Sequence, residues 1–302
     1  MKRSLLLFAW LLAVPWAARS AALTDDTGRA VPLAPSAKRV VTLAPNLTEL
    51  VDAVGAGATL VATDQSSDHP PSVQSLPRVG DHQRVDIERL VALAPDLVLA
   101  WGSGNTAREL AQIEAAGIRL FRLEPRRLDD IPRALERVGM LLGRAEEGKQ
   151  RARALRAQIA ALRESHAGAA PVRVFYQVWS RPLLTLNDDH LVSDVVRLCG
   201  GRNVFGSLAP LVPELSTESV VLADPEAMLT AIEGSGPARR TPQAGAFSQW
   251  AALGTTTAVR RGWLYTLPAD IVVRGGPRIA EGAQALCGVL DEVRRERAAA
   301  PR

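Results

Sequence analysis

The chain has 302 residues, of which 47% are hydrophobic and 23% are charged. Its length allows one large domain or two medium ones, and its apolar content excludes a disordered chain. The formal net charge of +4 comes mostly from the first residues, and no basic patch is interleaved with aromatic residues, which excludes a nucleic-acid-binding protein.

The N-terminus predicts a secretory signal peptide over residues 1–22. Lys2 and Arg3 precede an apolar run from Leu5 to Trp16, and small residues follow that run. The run is too short for a membrane anchor, and no cysteine follows it, so no lipid attachment site is expected. Without Lys2, Arg3 and Arg19, the exported chain would carry 33 basic and 32 acidic residues, a net charge of about +1.

Strand-like and helix-like segments alternate in the first half of the chain. The predicted strands are "RVVTLA", "LVAT", "DLVLAW" and "IRLFRL", and the predicted helices between them are "LTELVDAVGA", "DIERLVALA" and "ARELAQIEAAG". This alternation indicates an α/β fold with a mostly parallel sheet and helices on its faces.

A helical stretch follows from Asp129 to about Ser165, broken near Gly143. Its second part, "RAEEGKQRARALRAQIAALRESH", is charged apart from a thin apolar stripe, which predicts a long helix packed on one face only. The stripe consists of Ala154, Leu155, Ile159 and Leu162. After the breaker cluster "HAGAAP", the alternation resumes with the strand "VRVFYQVW" and the helix "SDVVRLCGG".

The two halves of the chain resemble each other. "VDIERLVALAPDLVLA" from Val85 aligns without a gap with "LSTESVVLADPEAMLT" from Leu215. Two further pairs follow the same order, "TELVDAVGAG" with "SDVVRLCGGR" and "GIRLFRL" with "GWLYTLP". Three ordered matches favour a duplicated lobe over chance. The predicted organisation is an N-terminal α/β lobe over 23–142, a connecting helix over 143–168 and a C-terminal α/β lobe over 169–302, with a ligand cleft between the lobes.

The sequence gives little sign of catalysis. It contains no G-x-S-x-G, Walker or H-E-x-x-H motif and no phosphate-binding G-x-G-x-x-G. The four histidines, at positions 69, 82, 166 and 190, lack the spacing of a zinc site. These absences argue against an exported two-lobed enzyme.

Cys199 and Cys287 are the two cysteines of the chain. An even number in an exported protein favours one disulfide, with two buried thiols as the alternative.

Glu88 and Glu218 occupy equivalent places in the repeated segment. Each lies two residues after a good N-cap, Asp86 or Ser216, where a carboxylate interacts favourably with the helix dipole. The inward face of "DIERLVAL" is predicted to hold Ile87, Leu90 and Val91, which leaves Glu88 pointing outward. Two equivalent exposed acids also suit docking onto a basic two-fold partner, so both interpretations stay open.

Trp101 ends the predicted strand "DLVLAW", and Trp179 ends the predicted strand "VRVFYQVW" of the second lobe. Ligands of open α/β sheets bind beyond the carboxyl ends of the strands, where an indole offers a broad apolar face. A Trp that only caps the sheet core is the alternative at both positions.

From about Leu23 to Arg297, the chain resembles the periplasmic binding proteins that serve cobalamin, siderophore and haem ABC importers. The similar segments are "LTDDTGRAVPL", "KRVVTLAPNLTELVDAVGAG", "DHPP", "DIERLVALAPDLVLAW", "LCGGRNVF", "LSTESVVLADPEAML" and "PRIAEGAQALC". The resemblance is strongest to the cobalamin-binding members, through "VLAWGSGN" and the placement of the two cysteines.

The resemblance implies two Rossmann-like lobes joined by a single long helix. It implies a monomeric, non-enzymatic protein of the periplasm that binds a cobalt corrinoid, needs no cofactor and delivers its ligand to a permease dimer at the inner membrane. In such proteins one acid on each lobe pairs with arginines of the permease, and Glu88 and Glu218 match those acids.

The ligand cleft implied by the resemblance is less aromatic here than in the cobalamin-binding members. His82 stands in place of a Trp, Ser66 of a Tyr and Val178 of a Phe. The expected ligand-binding residues are Pro45, Asn46, Ser66, His82, Trp101, Gly102, Val178, Trp179, Val212, Asp270 and Arg274. His82 could ligate cobalt or haem iron through a neutral imidazole, or lie on a polar rim without metal contact.

Haem and iron–siderophore complexes are the alternative ligands within the same class of importer. Haem-binding proteins of this kind usually offer Tyr or His, and the candidates are Tyr176, Tyr265 and His82. Siderophore-binding proteins often use arginine clusters, for which Arg274 and Arg278 are the candidates.

Overall fold

The computed structural model describes residues 21–33, 35–81, 83–234, 236–241, 245–251 and 254–299. His82 and residues 1–20 of the predicted signal peptide lie outside this part of the chain. Within it, no helix combines the length and the apolar character needed to cross a membrane.

The N-terminal lobe is built on a four-stranded parallel sheet with the strand order β4–β3–β5–β6, beside a short antiparallel ribbon of β1 and β2. Its strands are β1 (Ala22–Thr24), β2 (Ala30–Pro32), β3 (Val40–Thr42), β4 (Leu60–Thr63), β5 (Leu97–Trp101) and β6 (Leu120–Leu123). Its helices are α1 (Pro45–Ala53), α2 (Ile87–Ala92), α3 (Ala107–Ala115) and α4 (Asp130–Leu141). Because parallel strands end at the same edge, the residues after β3, β5 and β6 meet there.

A single long helix, α5 (Ala145–Ser165), follows α4 and leads into the second lobe. Its buried face consists of Gly148, Ala152, Leu155 and Ile159. The prediction placed Ala154 on this face, but that residue is exposed, because positions 148, 152, 155 and 159 keep the helical spacing of three or four residues. The one-sided burial agrees with the charged remainder of the helix.

The C-terminal lobe carries a five-stranded sheet with the strand order β10–β7–β11–β13–β12, in which only the edge strand β12 is antiparallel. Its strands are β7 (Val172–Gln177), β8 (Trp179–Ser180), β9 (Leu183–Leu184), β10 (Gly201–Asn203), β11 (Ala227–Ile232), β12 (Arg239–Arg240) and β13 (Leu264–Pro268). Its helices are α6 (Leu191–Leu198), α7 (Thr217–Ala223), α8 (Ser248–Ala251), α9 (Thr257–Arg261), α10 (Ala269–Val272) and α11 (Ile279–Ala299).

Both lobes share one topology. Counting only the parallel strands of each sheet, the first (β3 or β7) lies between the second (β4 or β10) and the third (β5 or β11), and the fourth (β6 or β13) lies beside the third. The register agrees too, since Val40 lies opposite Leu97 and the corresponding Val174 lies opposite Ala227. The predicted fold, two Rossmann-like lobes joined by a long helix, is confirmed, and the shared register supports a duplicated lobe.

The lobes are joined by more than α5. One buried apolar cluster includes residues of both lobes, among them Leu135, Leu155, Leu191 and Leu286. Cys199, the C-cap of α6, forms a disulfide with Cys287 on α11, so the two thiols are not free. A core that is continuous across the lobes predicts limited movement between them.

Candidate ligand-binding cleft

A cavity of about 250 Å³ lies between the two lobes. The N-terminal lobe contributes residues that follow β3, the Trp at the end of β5, and residues that follow β5 and β6, all at the carboxyl edge of its sheet. The C-terminal lobe contributes the start of α6, Leu211 and the loop 273–275. The cavity therefore lies where open α/β sheets bind ligands, and its mostly apolar lining suits an organic ligand.

Four of the predicted ligand residues line this cavity: Pro45, Asn46, Trp101 and Arg274. Two others are chain neighbours of lining residues, namely Gly102, which lies between Trp101 and Ser103, and Val212, which follows Leu211. His82 lies outside the described residues. The ligand role of every one of these residues stays a prediction.

Ser66, Val178, Trp179 and Asp270 are outside the lining of the cavity. Trp179 is 62% exposed and lies on the β8–β9 hairpin, whose Leu184 bridges to Glu214. Val212, two residues before Glu214, is also exposed. Trp179 and Val212 are therefore exposed apolar side chains on two bridged segments, one of which contributes Leu211 to the cavity lining.

Trp101 is held by its own loop. Its backbone N–H donates to Oδ1 of Asn105 (2.8 Å), and the amide nitrogen of Asn105 donates to the carbonyl of Leu43 (3.3 Å). The indole ring lies directly against the backbone of Gly104, where an added Cβ would overlap the ring. Gly104, the second glycine in "WGSGN", is therefore required by the close approach of the indole ring rather than by its backbone conformation.

Replacement of Gly104 by alanine is expected to displace the indole of Trp101 from its position in the cleft, because the new methyl group and the ring cannot occupy the same space. The near-ultraviolet circular dichroism should change, and the affinity for a ligand that stacks on Trp101 should fall about tenfold. Gly288→Ala is the matched control, since open space surrounds that position on α11. An unchanged spectrum in Gly104→Ala would show that the ring is not set by this contact.

Charged side chains join the lobes next to the cavity. The buried carboxylate of Glu49 on α1 accepts two hydrogen bonds from Arg278 (2.6 and 3.0 Å), and Arg278 also contacts Asp270 (3.3 Å). Arg274 donates two hydrogen bonds to Asp68 (2.5 and 3.0 Å), and the hydrogen bond from Arg274 holds the pKa of Asp68 below its ordinary value. Both arginines considered for siderophore binding are thus already paired with carboxylates.

The two tyrosines considered as haem ligands do not reach the cleft. Tyr176 and Tyr265 are buried in the core cluster, and burial raises the pKa of both hydroxyls. The hydroxyl of Tyr265 donates to Glu292 (3.1 Å) instead. A buried, protonated phenol away from the cavity is not placed to ligate a metal there.

His190 lines the cavity, although the sequence did not single it out for this role. It is the N-cap of α6, and its Nδ1 accepts a hydrogen bond from the backbone N–H of Val192 (3.1 Å). Burial lowers the pKa of this imidazole to about 4, so the ring is neutral at physiological pH. The position of "NDDH" shortly before the predicted helix "SDVVRLCGG" is the one signal in the sequence for this role.

Glu88 and Glu218 are both exposed in the first turn of equivalent helices. Their predicted N-caps are present, since Asp86 accepts from the N–H of Arg89 and Ser216 from that of Ser219. Hydrogen bonds from its own backbone and from Ser216 lower the pKa of Glu218.

Val91, which was expected to face inward beside Leu90, is 48% exposed. The short helix α2 contacts the lobe along one ridge only, formed by the buried Leu90 and the partly buried Ile87. The outward direction of Glu88 is unaffected by this difference.

Among the described residues, no group of three or more His, Cys, Asp and Glu side chains is arranged to hold a metal ion.

A family model described as "Periplasmic binding protein" matches residues 40–271. A vitamin B12-binding protein of Vibrio cholerae is 33% identical over 254 residues, which span 84% of this chain and 89% of that protein. The crystal structure of a periplasmic vitamin B12-binding protein of Vibrio cholerae matches with a TM-score of 0.76 and 32% identity over 85% of this chain and 98% of that one. A periplasmic haem-binding protein of Roseiflexus, at 23% identity and a TM-score of 0.73 over 85% and 99% of the two chains, shares the fold.

Proposed function

Because the chain belongs to the periplasmic binding protein family, we propose that it captures a corrinoid in the cleft between its lobes and delivers it to an ABC importer. The observation that carries this proposal is the apolar cavity at the carboxyl edge of the first sheet, with the indole of Trp101 in its wall. The similarity to vitamin B12-binding proteins over most of the chain supports a corrinoid as the ligand. The protein works in the periplasm, as members of this family do.

Binding in this cleft needs no chemical step. A cavity of about 250 Å³ is smaller than a corrinoid, so the ligand would be held between the lobes with part of its surface open to water. The exposed faces of Trp101 and Trp179 would cover the flat macrocycle, and single polar groups in the cavity would bind its peripheral substituents. The continuous core across the lobes makes the cleft largely preformed, which favours affinity by reducing the entropy lost on binding.

The purified exported protein is expected to bind cyanocobalamin with a sub-micromolar Kd in isothermal titration calorimetry, with cobinamide as a competitor. Hemin serves as the second titrant, followed through its Soret band. Absence of heat with both corrinoids would overturn the proposal, and a Soret shift together with that absence would identify haem as the ligand.

The partner we propose is a permease dimer whose basic groups pair with Glu88 and Glu218, one acid on each lobe. The two acids occupy equivalent first turns of α2 and α7, and both are exposed. A monomeric binding protein with two equivalent acids complements a two-fold partner, because the duplicated lobes repeat the same surface.

The double variant Glu88→Ala/Glu218→Ala is expected to reduce ligand uptake into proteoliposomes at least tenfold while leaving the Kd for the ligand unchanged, since both charges lie away from the cavity. The matched control is Glu146→Ala/Glu164→Ala, which removes two exposed acids from the connecting helix α5. Uptake should stay near the wild-type rate in that control. Equal losses in both double variants, or a weakened ligand Kd in the first, would contradict the docking role.

A further inference from the structure

One side chain of the cavity has its chemical state fixed by the fold. Nδ1 of His190 accepts a hydrogen bond from the backbone N–H of Val192 (3.1 Å), so Nδ1 carries no proton. A neutral imidazole carries its single proton on the other ring nitrogen, which makes Nε2 a hydrogen-bond donor. The tautomer of His190 therefore follows from its place as the N-cap of α6.

The Nε2–H group of His190 has no hydrogen-bond acceptor among the residues that the structure describes. No hydrogen bond of Nε2 is formed with them, whereas the ring lines the cavity between the lobes. Since Nδ1 is turned toward the backbone of α6, the opposite ring edge is the one available to the cavity. Asp189 and Arg127 (2.9 Å) pair with each other beside it, which leaves His190 as the neutral donor at this position.

We infer that the Nε2–H of His190 donates a hydrogen bond to an acceptor oxygen of the bound ligand and thereby helps to determine which ligand the cleft selects. This inference rests on the proposed function and adds one specificity-determining residue to it. The acceptor belongs to a peripheral substituent of a corrinoid, either an amide carbonyl of the ring or a phosphate oxygen of the nucleotide tail.

The same geometry argues against His190 as an axial metal ligand. Metal coordination through Nε2 requires that nitrogen to be free of a proton, and the proton would then move to Nδ1. Nδ1 could no longer accept from Val192, and the N-cap of α6 would be lost. As the structure stands, His190 offers a proton to the ligand rather than a lone pair to its metal.

Two substitutions test separately the two roles of His190, as hydrogen-bond donor to the ligand and as N-cap of α6. In His190→Asn the amide oxygen replaces Nδ1 as the acceptor of the cap, and the shorter side chain does not reach the position of Nε2. In His190→Gln the amide nitrogen reaches the position of Nε2, but the cap is lost. We expect His190→Asn to weaken cyanocobalamin binding about fivefold to tenfold with little change in Tm, and His190→Gln to keep most of the affinity while lowering the Tm.

The test has two independent parts, one for the tautomer of His190 and one for its role in ligand binding. Nitrogen-15 chemical shifts of the ligand-free protein report which ring nitrogen of His190 carries the proton, and a protonated Nδ1 would overturn the inference whatever the ligand. Calorimetry with cyanocobalamin and with cobinamide then compares wild type, His190→Asn and His190→Gln. A penalty in His190→Asn with both corrinoids places the acceptor on the ring, and a penalty with cyanocobalamin alone places it on the nucleotide tail.

Equal affinity of wild type and His190→Asn for cyanocobalamin would overturn the donor role. Absence of cyanocobalamin binding by the wild type would instead overturn the proposed function, and the tautomer measurement would still decide the chemical state of His190.

Discussion

Replacement of Cys199 and Cys287 by alanine is expected to lower the free energy of unfolding by about 4–5 kcal/mol. The disulfide joins residues separated by 88 positions, and in the chain-entropy model a closed loop of this length restricts the unfolded chain by that amount. Both cysteines are buried, so the alanines also leave a small cavity, which adds to the loss.

The measurement is urea unfolding followed by circular dichroism. Wild-type protein treated with a reductant should unfold at nearly the same urea concentration as the double alanine variant, because both lack the same constraint. The untreated wild type should unfold at a clearly higher concentration. A reductant that leaves the wild-type midpoint unchanged would show that the exported protein does not contain this bond.

Glu49→Ala is expected to destabilise the protein by about 3–5 kcal/mol. The carboxylate of Glu49 is 2% exposed and accepts two hydrogen bonds from Arg278, so its removal leaves a mostly buried guanidinium whose remaining ion-pair partner is Asp270. Removal of one partner of a buried ion pair costs more than the pair contributes, because the remaining charge has lost its compensation.

The effect should also reach the arrangement of the lobes. Glu49 belongs to the N-terminal lobe and Arg278 to the C-terminal lobe, and Arg274 pairs with Asp68 beside them. Loss of this contact is expected to widen the cleft, which small-angle X-ray scattering would detect as a larger radius of gyration. Glu49→Leu combined with Arg278→Met and Asp270→Asn should recover much of the stability, since none of these three charges is then left buried.

The matched control for Glu49 is Glu136. It also receives two hydrogen bonds from one arginine, Arg156 (2.6 and 3.1 Å), but this pair is on the surface. Glu136→Ala should cost less than about 1 kcal/mol, because water already screens the exposed charges. Similar losses at Glu49 and Glu136 would show that burial of the interlobe pair does not increase its contribution.

The sequence determined the architecture of this protein. The strands and helices follow from periodicity, Gly stops and N-caps such as Asp86 and Ser216, all of which act within a few residues of the chain. The duplicated lobe was also visible in the sequence, because equivalent positions such as Asp96 and Glu226 have the same role in the two lobes. Asp96 accepts from the backbone N–H of Arg39, just before β3, and Glu226 accepts from that of Arg173, at the start of β7.

The composition of the cleft was only partly predictable. Trp101 was singled out because a strand end is a local feature and the carboxyl ends of parallel strands meet at one edge of the sheet, whereas Pro45 was expected from the family resemblance; both line the cavity. Periodicity gave less reliable results for single positions, as Ala154 and Val91 show. Whether a residue on the border of a helix face is buried depends on the surface that it meets.

Only the tertiary structure decided which polar side chains pair across the lobes and which reach the cleft. Arg274 and Arg278 form ion pairs with acids more than 200 positions earlier in the chain, and no local pattern contains that pairing. Tyr176 and Tyr265 are removed from the cleft by burial, and His190 enters it with a fixed tautomer because one backbone N–H of α6 occupies its Nδ1. Local sequence fixes hydrogen bonds within a turn, whereas burial and charge pairing depend on which distant surfaces the folded lobes bring together.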